Sequence, residues 1–414
     1  MNIVIISYRI SGNDGVSIEC VHWRNILERM GHKVTFVAGE LDQEGILLPE
    51  LHFKLPQVAG IHRRVVYSNE SYQKVERVIF DIAGMLEGRL RQLFRNGVRP
   101  DLLIVPNVFS IPMHFPLAVA LARTVKEFSI KTLARHHDFW WERERYNKSE
   151  MFQFFDHWFP PKEENIWHTV INSLAQKELE KRTGIIAPII PDTFDFENNE
   201  LNRMDEYSKH FRQDFGIEES DFVFLQATRI VPRKRIELSI ELLSKLNQSN
   251  SILVINGTEG DEEKGYLKKL KKMSEVLGVR AKFIGGRVDS RRKIIAGKRV
   301  YTLWDCYLNS DFVTYPTEVE GFGNQFVESM YFKLPLIITP YEVYRADIAP
   351  LGFDVIEMQN EVTDDVLERV RELSTDSERK INMVNHNFEV ARKNLSYNVV
   401  ETKIINIFKN MGIS

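Results

Sequence analysis

"FVTYPTEVEGFGNQFVESMYFK", Phe312–Lys333, is the stretch on which the fold turns. "FVTYPT" reads as a strand and "NQFVESMYFK" as a helix, with Gly321 and Gly323 at the junction. In open α/β sheets, ligands bind beyond the carboxyl ends of the strands, where such junctions lie. The start of a helix offers unpaired amides that attract anions. A glycine there lets a phosphate or sugar approach without a Cβ in the way. Two carboxylates bracket the loop, Glu320 before it and Glu328 about a turn and a half into the helix. They would repel a phosphate, so they are suited to accept hydrogen bonds from hydroxyls, such as a ribose diol or a sugar ring. The competing reading is a plain strand–helix turn with Glu328 on a solvated face. The segment alone leaves both standing.

A second signal lies upstream. "QATRIVPRKR", Gln226–Arg235, follows a strand and places Arg229 at its end and Lys234 in the next turn, beside Arg233 and Arg235. Such a cluster is ordinarily solvated surface. At a strand exit, in the same half of the chain as the glutamate pair, two cations can neutralise a diphosphate, Arg as a fork and Lys as a point charge.

Working outward, two α/β halves emerge. The first opens with "NIVIISY" and the loop "RISGNDGVS". A helix with Trp23, Ile26, Leu27 and Met30 at helical spacing follows, which Gly31 can stop. "HKVTFVAG", "DLLIVPN", "IKTLARHHD" and "WHTVINS" supply further strands. The second half has "DFVFLQATR", "SILVINGT", "AKFIGG", "DFVTYPT" and "LPLIITP", with "IELSIELLSKLNQ" as an amphipathic helix. Alternating strands and helices imply mainly parallel sheets with helices on both faces. Between the halves, Asp192–Glu206 follows two prolines and is acidic and polar, which suits a linker. The expected division is 1–195 with a returning C-terminal segment 395–414, and 206–394.

Composition bounds the function classes. The 414 residues suffice for two domains, and 43% hydrophobic with 27% charged residues is ordinary for a globular protein. No apolar run reaches the roughly 20 residues that span a bilayer. The opening residues lack the basic region and cleavage site of a signal peptide. Cys20 and Cys306 are the two cysteines, too few for a disulfide framework or a zinc site, and a cytoplasmic location is expected. A net charge of −3 argues against nucleic acid as the main partner. The basic run "GRVDSRRKIIAGKRV" is read as a solvated helix face, with peripheral contact to an anionic membrane as the alternative.

Other candidates lie after strands. "LARHHDFWWERERY" holds His136, His137 and Asp138. Adjacent residues of an extended segment point to opposite sides, so two histidines here do not suggest a metal. Trp140 and Trp141 can stack on sugars or simply pack. Arg143, within Glu142–Arg145, can line an acceptor pocket or pair with a neighbour. Asn256 with Gly257, and Gly285 with Gly286, sit where nucleotide-contacting loops would lie, though structural turns explain them equally well.

The order of Arg229, Lys234 and "EGFGNQFVE" resembles glycosyltransferase family 4, retaining nucleotide-sugar enzymes of GT-B fold. The likeness extends over nearly the whole chain, including "GHKV". It implies two Rossmann-like domains facing across a cleft, with the C-terminal helix crossing back to the first. It implies that Arg229 and Lys234 stabilise the departing diphosphate and that Glu328 binds the ribose. Glu320 and the Gly321–Phe322–Gly323 backbone would contact the donor sugar. A histidine facing that sugar is also implied, and His137, in the His-Asp pair, is preferred to His136. His136, Asp138, Trp141 and Arg143 are then candidate acceptor contacts. Many relatives carry adjacent glycines in the first loop; this chain has "GNDG", and Gly15 is the better match for the diphosphate contact. The loop is not G-x-G-x-x-G, so NAD is poorly supported.

The expected activity is transfer of a hexose, glucose or mannose, from a UDP- or GDP-sugar to an acceptor hydroxyl, with retention and without an obligatory metal. The acceptor is a small molecule, a glycan or a lipid-linked sugar. Rival readings are a glycoside hydrolase using the two glutamates, a sugar-nucleotide epimerase, and a non-catalytic nucleotide-sugar binder.

Overall fold

The computed structural model describes residues 1–12, 14–68, 70–147, 150–260 and 265–413. They form two compact units, Met1–Pro191 with Val400–Ser414, and Asp192–Val399.

The first unit is built on β1 (Asn2–Ser7), β2 (Lys33–Ala38), β3 (Gly45–Leu47), β4 (Leu102–Pro106), β5 (Lys131–His136) and β6 (Ile166–Val170). Their order is β3-β2-β1-β4-β5-β6, and every adjacent pair is parallel. Parallel strands are covered on both faces, which is why they appear in the sequence as unbroken apolar runs. The five residues of β4 are all buried. The helix Gly15–Arg29 joins β1 to β2 and buries Trp23, Ile26 and Leu27. It stops where Gly31 takes φ +84° and the amides of Gly31 and His32 return to the carbonyls of Glu28 and Leu27. An ordinary L-residue resists that left-handed conformation. The helix Tyr397–Asn410 reaches this unit through its later residues. Glu401 pairs with Arg29 at 2.5 Å, and the Lys403 ammonium donates to the Ile189 carbonyl at 3.2 Å.

The second unit carries β7 (Phe222–Gln226), β8 (Ser251–Ile255), β9 (Ala281–Phe283), β10 (Lys293–Ile295), β11 (Lys298–Val300), β12 (Phe312–Tyr315), β13 (Leu336–Ile338) and β14 (Ile356–Glu357). Six of them form a parallel sheet in the order β14-β13-β12-β7-β8-β9. Each main sheet reverses its direction of winding at one place, between β1 and β4 in the first unit and between β7 and β12 in the second. Loops leaving such a pair diverge to opposite faces and open a crevice for ligands. The segment that opened the sequence analysis leaves β12, and the Arg229–Lys234 segment leaves β7.

Three expectations need correction. The stretch 192–196 is not a loose linker. Phe194 and Phe196 are buried, Phe194 packs on Tyr331 at 4.4 Å and Trp304 at 5.4 Å, and the Thr193 hydroxyl donates to the Leu395 carbonyl at 2.7 Å. The first unit therefore ends at Pro191 rather than 195. The returning segment joins the first unit at Val400 rather than 395, because Leu395 and Ser396 are tied to this docked stretch. The basic run at 286–300 is not a helix: β10 and β11 pair antiparallel as a hairpin. Ala296 and Gly297 both have positive φ, +47° and +75°, as a two-residue type I′ connection requires. Among the described residues, no helix is long and apolar enough to cross a membrane.

Candidate active site

The second unit gathers its polar groups at the β7 and β12 exits. A short 3-10 turn, Pro232–Lys234, follows β7, and Arg235 in the left-handed conformation starts the helix Ile236–Leu246. This turn brings the Lys234 ammonium onto the Glu320 carboxylate, while Arg233 reaches the other Glu320 oxygen at 3.5 Å. The Thr317 hydroxyl donates to Glu320 at 3.0 Å. Lys234 is only 7% exposed and lies 5.6 Å from the Tyr315 ring. A cation so enclosed needs a counter-charge, which Glu320 supplies. Arg229 is exposed in the loop just upstream.

In Gly321–Phe322–Gly323, Gly323 has a local reason to be glycine. Gly323 precedes the helix Asn324–Tyr331 with φ +118°, and a Cβ there would lie 2.5 Å from the Tyr341 hydroxyl. That hydroxyl donates to the Phe322 carbonyl, which fixes the loop from below. Glu328, inside the helix, is 2% exposed and accepts from the Tyr307 hydroxyl at 2.6 Å. Burial pushes its carboxyl up to about 7, against the opposing pull of Tyr307. The solvated-face alternative for Glu328 is thereby excluded.

Two glycine candidates are explained by backbone packing. A Cβ on Gly257 would fall 1.8 Å from the Thr228 carbonyl oxygen, and one on Gly285 would fall 2.2 Å from the Gly257 carbonyl oxygen. The loops after β7, β8 and β9 thus stack backbone on backbone. Asn256 is buried and bonded to the Cys306 thiol. These three residues shape the strand ends whatever binds there.

In the first unit the loop after β1 carries Gly12, with φ +70°, and Gly15 at the first helical position. Asn13 of the "GNDG" sequence lies outside the described residues. Asp14 caps the helix, accepting from the Ser17 amide at 3.3 Å and its hydroxyl at 2.6 Å, and pairs with Arg9 at 3.0 Å. A carboxylate thus already occupies the helix start beside Gly15.

The two histidines, His136 at the end of β5 and His137 just beyond it, part company. His136 is fully buried, bonded to His168 at 2.9 Å and packed on Phe139. His137 is drawn to Asn107, which follows β4. The Asn107 side-chain oxygen accepts from the His137 backbone amide at 2.8 Å and lies 3.2 Å from ring Nδ1. The Asn107 amide group donates to Asp138 at 3.4 Å, and Asp138 is paired with Arg143. Asn107 has φ +57°, a conformation that Asn tolerates better than most residues. Trp141 is 8% exposed and stacks on Phe139 at 4.4 Å. His136 and Trp141 are enclosed by these packing contacts, while His137, Asp138 and Arg143 are brought together.

Sequence reasoning missed Tyr307, Tyr341 and Asn107. Only Asn107 left a trace, as the polar residue ending "DLLIVPN". A cavity of about 520 Å³ lined by Asp354, Asp376, Arg379 and His386 shares no residue with this constellation.

Comparison with known proteins bears on the family and the fold. The family model "Glycosyl transferases group 1" matches residues 208–389. A mannosylglucosylglycerate synthase of Petrotoga mobilis is 33% identical over 386 residues, 86% of each chain. One of Thermotoga maritima is 31% identical over 436 aligned positions, covering 97% of this chain and 98% of the relative. Among solved structures, Anabaena Alr3699/HepE in complex with UDP and glucose superposes with a TM-score of 0.66 at 13% identity, over 99% of this chain and 100% of that one. Sucrose-phosphate synthase from Thermosynechococcus elongatus gives 0.68 at 12% identity, over 99% of each. At such identities the structures attest the fold alone. Fold and sequence together make this chain a member of the group 1 glycosyltransferases, a glycosyltransferase of GT-B architecture.

Proposed function

We propose that the protein transfers mannose, with retention, from a nucleotide-diphosphate mannose to the glucosyl unit of glucosylglycerate. The product named by two relatives of near-full-length similarity supports the choice of sugar and acceptor. The observation that carries the chemistry is the cluster at the β7 and β12 exits. An enclosed Lys234 stands against Glu320 there, and a buried Glu328 is bonded to Tyr307.

On this reading the second unit is the donor side and the first the acceptor side. Arg229 and Lys234 neutralise the diphosphate, and Glu328 accepts from the ribose hydroxyls. Glu320 and the Gly321–Gly323 backbone hold the sugar. The bond from the anomeric carbon to the phosphate oxygen breaks while the acceptor oxygen bonds to that carbon from the same face. The acceptor proton passes to the departing phosphate oxygen, so no protein nucleophile is needed. Charge grows on that oxygen as the bond breaks, and the two cations and loop amides are placed to stabilise it. Turnover in the presence of a chelator is expected, because these side chains supply the positive charge. A cytoplasmic setting fits two cysteines that are both buried and unpaired.

The test is product analysis with GDP-, UDP- and ADP-mannose against glucosylglycerate. One donor should give a product one hexose heavier, with the anomeric configuration of the donor preserved by NMR. Failure of all three donors to modify glucosylglycerate, while another acceptor is turned over, would overturn the substrate assignment.

A further inference from the structure

The first unit carries a cation set against an aromatic ring. Arg145 lies in the short helix Glu144–Asn147, which follows β5 and the 3-10 turn Trp140–Glu142. It is partly buried, its guanidinium lies 4.9 Å from the Tyr146 ring, and its Nε is enclosed without a hydrogen-bond partner. Among the described residues no carboxylate pairs with it, whereas Arg9 is held by Asp14, Arg135 by Glu19 and Arg143 by Asp138. Glu142, just upstream, turns back to accept from the Phe139 amide at 3.1 Å. A cation partly withdrawn from water calls for a counter-charge, and the described chain supplies none here.

The surroundings of Arg145 place it at the carboxyl end of the first sheet. The Tyr146 hydroxyl meets His62 Nε2 at 3.1 Å. Burial raises the Tyr146 phenol, opposed by Arg145 and Arg143; burial, and then Tyr146, raise the Tyr8 phenol. These side chains are therefore neighbours. Tyr8 follows β1, and Arg143 is tied through Asp138 to Asn107, which follows β4. The cluster thus gathers at the exits of β1, β4 and β5, where this sheet reverses its winding and where open α/β sheets take their ligands. Burial first, and Arg145 second, hold the His62 imidazole down to about 4, so it stays neutral near pH 7. Of the basic side chains around Tyr146, His62 is neutral and Arg143 is balanced by Asp138, which leaves the charge of Arg145.

We propose that Arg145 is a specificity-determining residue that pairs with a carboxylate of the acceptor, the glycerate carboxylate of glucosylglycerate. This rests on the reading of glucosylglycerate as the acceptor and names the residue that recognises its charge. A guanidinium presents planar N–H groups whose spacing matches the two oxygens of a carboxylate. With Nε enclosed, the terminal amino groups are the donors that a ligand meets. Part of the desolvation of the cation is already incurred in the free protein, so an arriving anion gains more than it would from a fully hydrated arginine. The same feature acts against a neutral polyol. Glucosylglycerol has a CH2OH group where glucosylglycerate has the carboxylate, and it would cover the guanidinium without balancing its charge.

Transfer to these two acceptors tests the proposal. The wild-type protein should favour glucosylglycerate over glucosylglycerol by about a hundredfold in kcat/KM. In Arg145→Gln the preference should fall to within a few-fold, with the loss on the charged acceptor and in its KM rather than in kcat. Arg145→Lys keeps the charge without the fork and should show an intermediate preference. A wild-type protein that takes both acceptors alike, or a folded Arg145→Gln protein with the wild-type preference, overturns the proposal. Should the glutamine variant not fold, Arg145→Lys decides, and a preference equal to wild type overturns it. A wild-type protein that modifies neither compound removes the substrate reading, and binding then judges the carboxylate site by itself. Sodium D-glycerate, compared with sodium chloride at equal ionic strength, should raise the melting temperature of the wild type and not that of Arg145→Gln. Equal shifts in the two proteins, or no shift with glycerate, overturn the site as well.

Discussion

The two units bury an ion pair at different depths. In the second, charge stands in the loops themselves: Lys234 and Arg233 close on Glu320 at the β7 and β12 exits. In the first, His137 stands just beyond the strand end, and the ion pair Glu19–Arg135 sits a layer beneath it. On the proposed function the difference follows from what each half must hold. A diphosphate is stabilised by cations within reach of its oxygens. A sugar hydroxyl needs a directional partner of fixed donor or acceptor sense.

The largest expected effect tests the charged half. Lys234→Ala should lower kcat/KM for the donor about a hundredfold, near 2.7 kcal/mol of transition-state stabilisation. Much of that loss should fall on kcat, because the leaving phosphate gains charge as the bond breaks. Thermal unfolding controls for structure, since Arg233 remains to balance Glu320. Wild-type kcat/KM in this variant would break the assignment of charge to the diphosphate. The first unit should respond more mildly. Asn107→Ala removes the partner of the His137 amide and of its ring Nδ1 and frees the ring to turn. A kcat loss of about tenfold, ~1.4 kcal/mol, is expected with the donor KM unchanged. If the donor KM rises instead while kcat holds, the division of labour between the units is wrong.

How much of this was open to reading depended on sequence distance. The sheets were legible because buried parallel strands need apolar side chains on both faces, so β4 and β8 stand out as unbroken runs. The glycine loop at Gly321–Gly323 was legible because strand, loop and helix are contiguous. Glu19 and Arg135 are 116 residues apart, and Tyr307 is 21 residues from Glu328, so no spacing rule joins them. Gly257 and Gly285 looked like ligand-facing residues, since a glycine under a ligand and a glycine under another backbone look alike in sequence. The basic hairpin was misread for a different reason. Its many Lys and Arg residues suggested a solvated helix, while the signal that mattered was Ala296–Gly297, a two-residue turn between short strands.

The smallest expected effect probes Glu328, the buried carboxylate bonded to Tyr307 in the charged half. Burial pushes the Glu328 carboxyl up to about 7, so it is expected to gain a proton as the pH falls through neutrality. On the proposed function it accepts, as a carboxylate, from two ribose hydroxyls; once protonated it must donate from one oxygen and loses part of that capacity. The donor KM should therefore rise below about pH 7. Tyr307→Phe removes the hydrogen bond that favours the ionised form, while the ring still stacks on Phe332 at 4.9 Å. Without that bond the carboxyl shifts further up, so the protonated form persists to higher pH. The rise in donor KM should move to higher pH, by a few-fold in KM at neutrality, and kcat at high pH should stay close to wild type. A KM–pH curve that moves toward acid would show that Tyr307 opposes the ionised state. A curve that does not move would place the ribose contact on some other residue, and the charged half would then consist of Arg229, Lys234 and Glu320 alone.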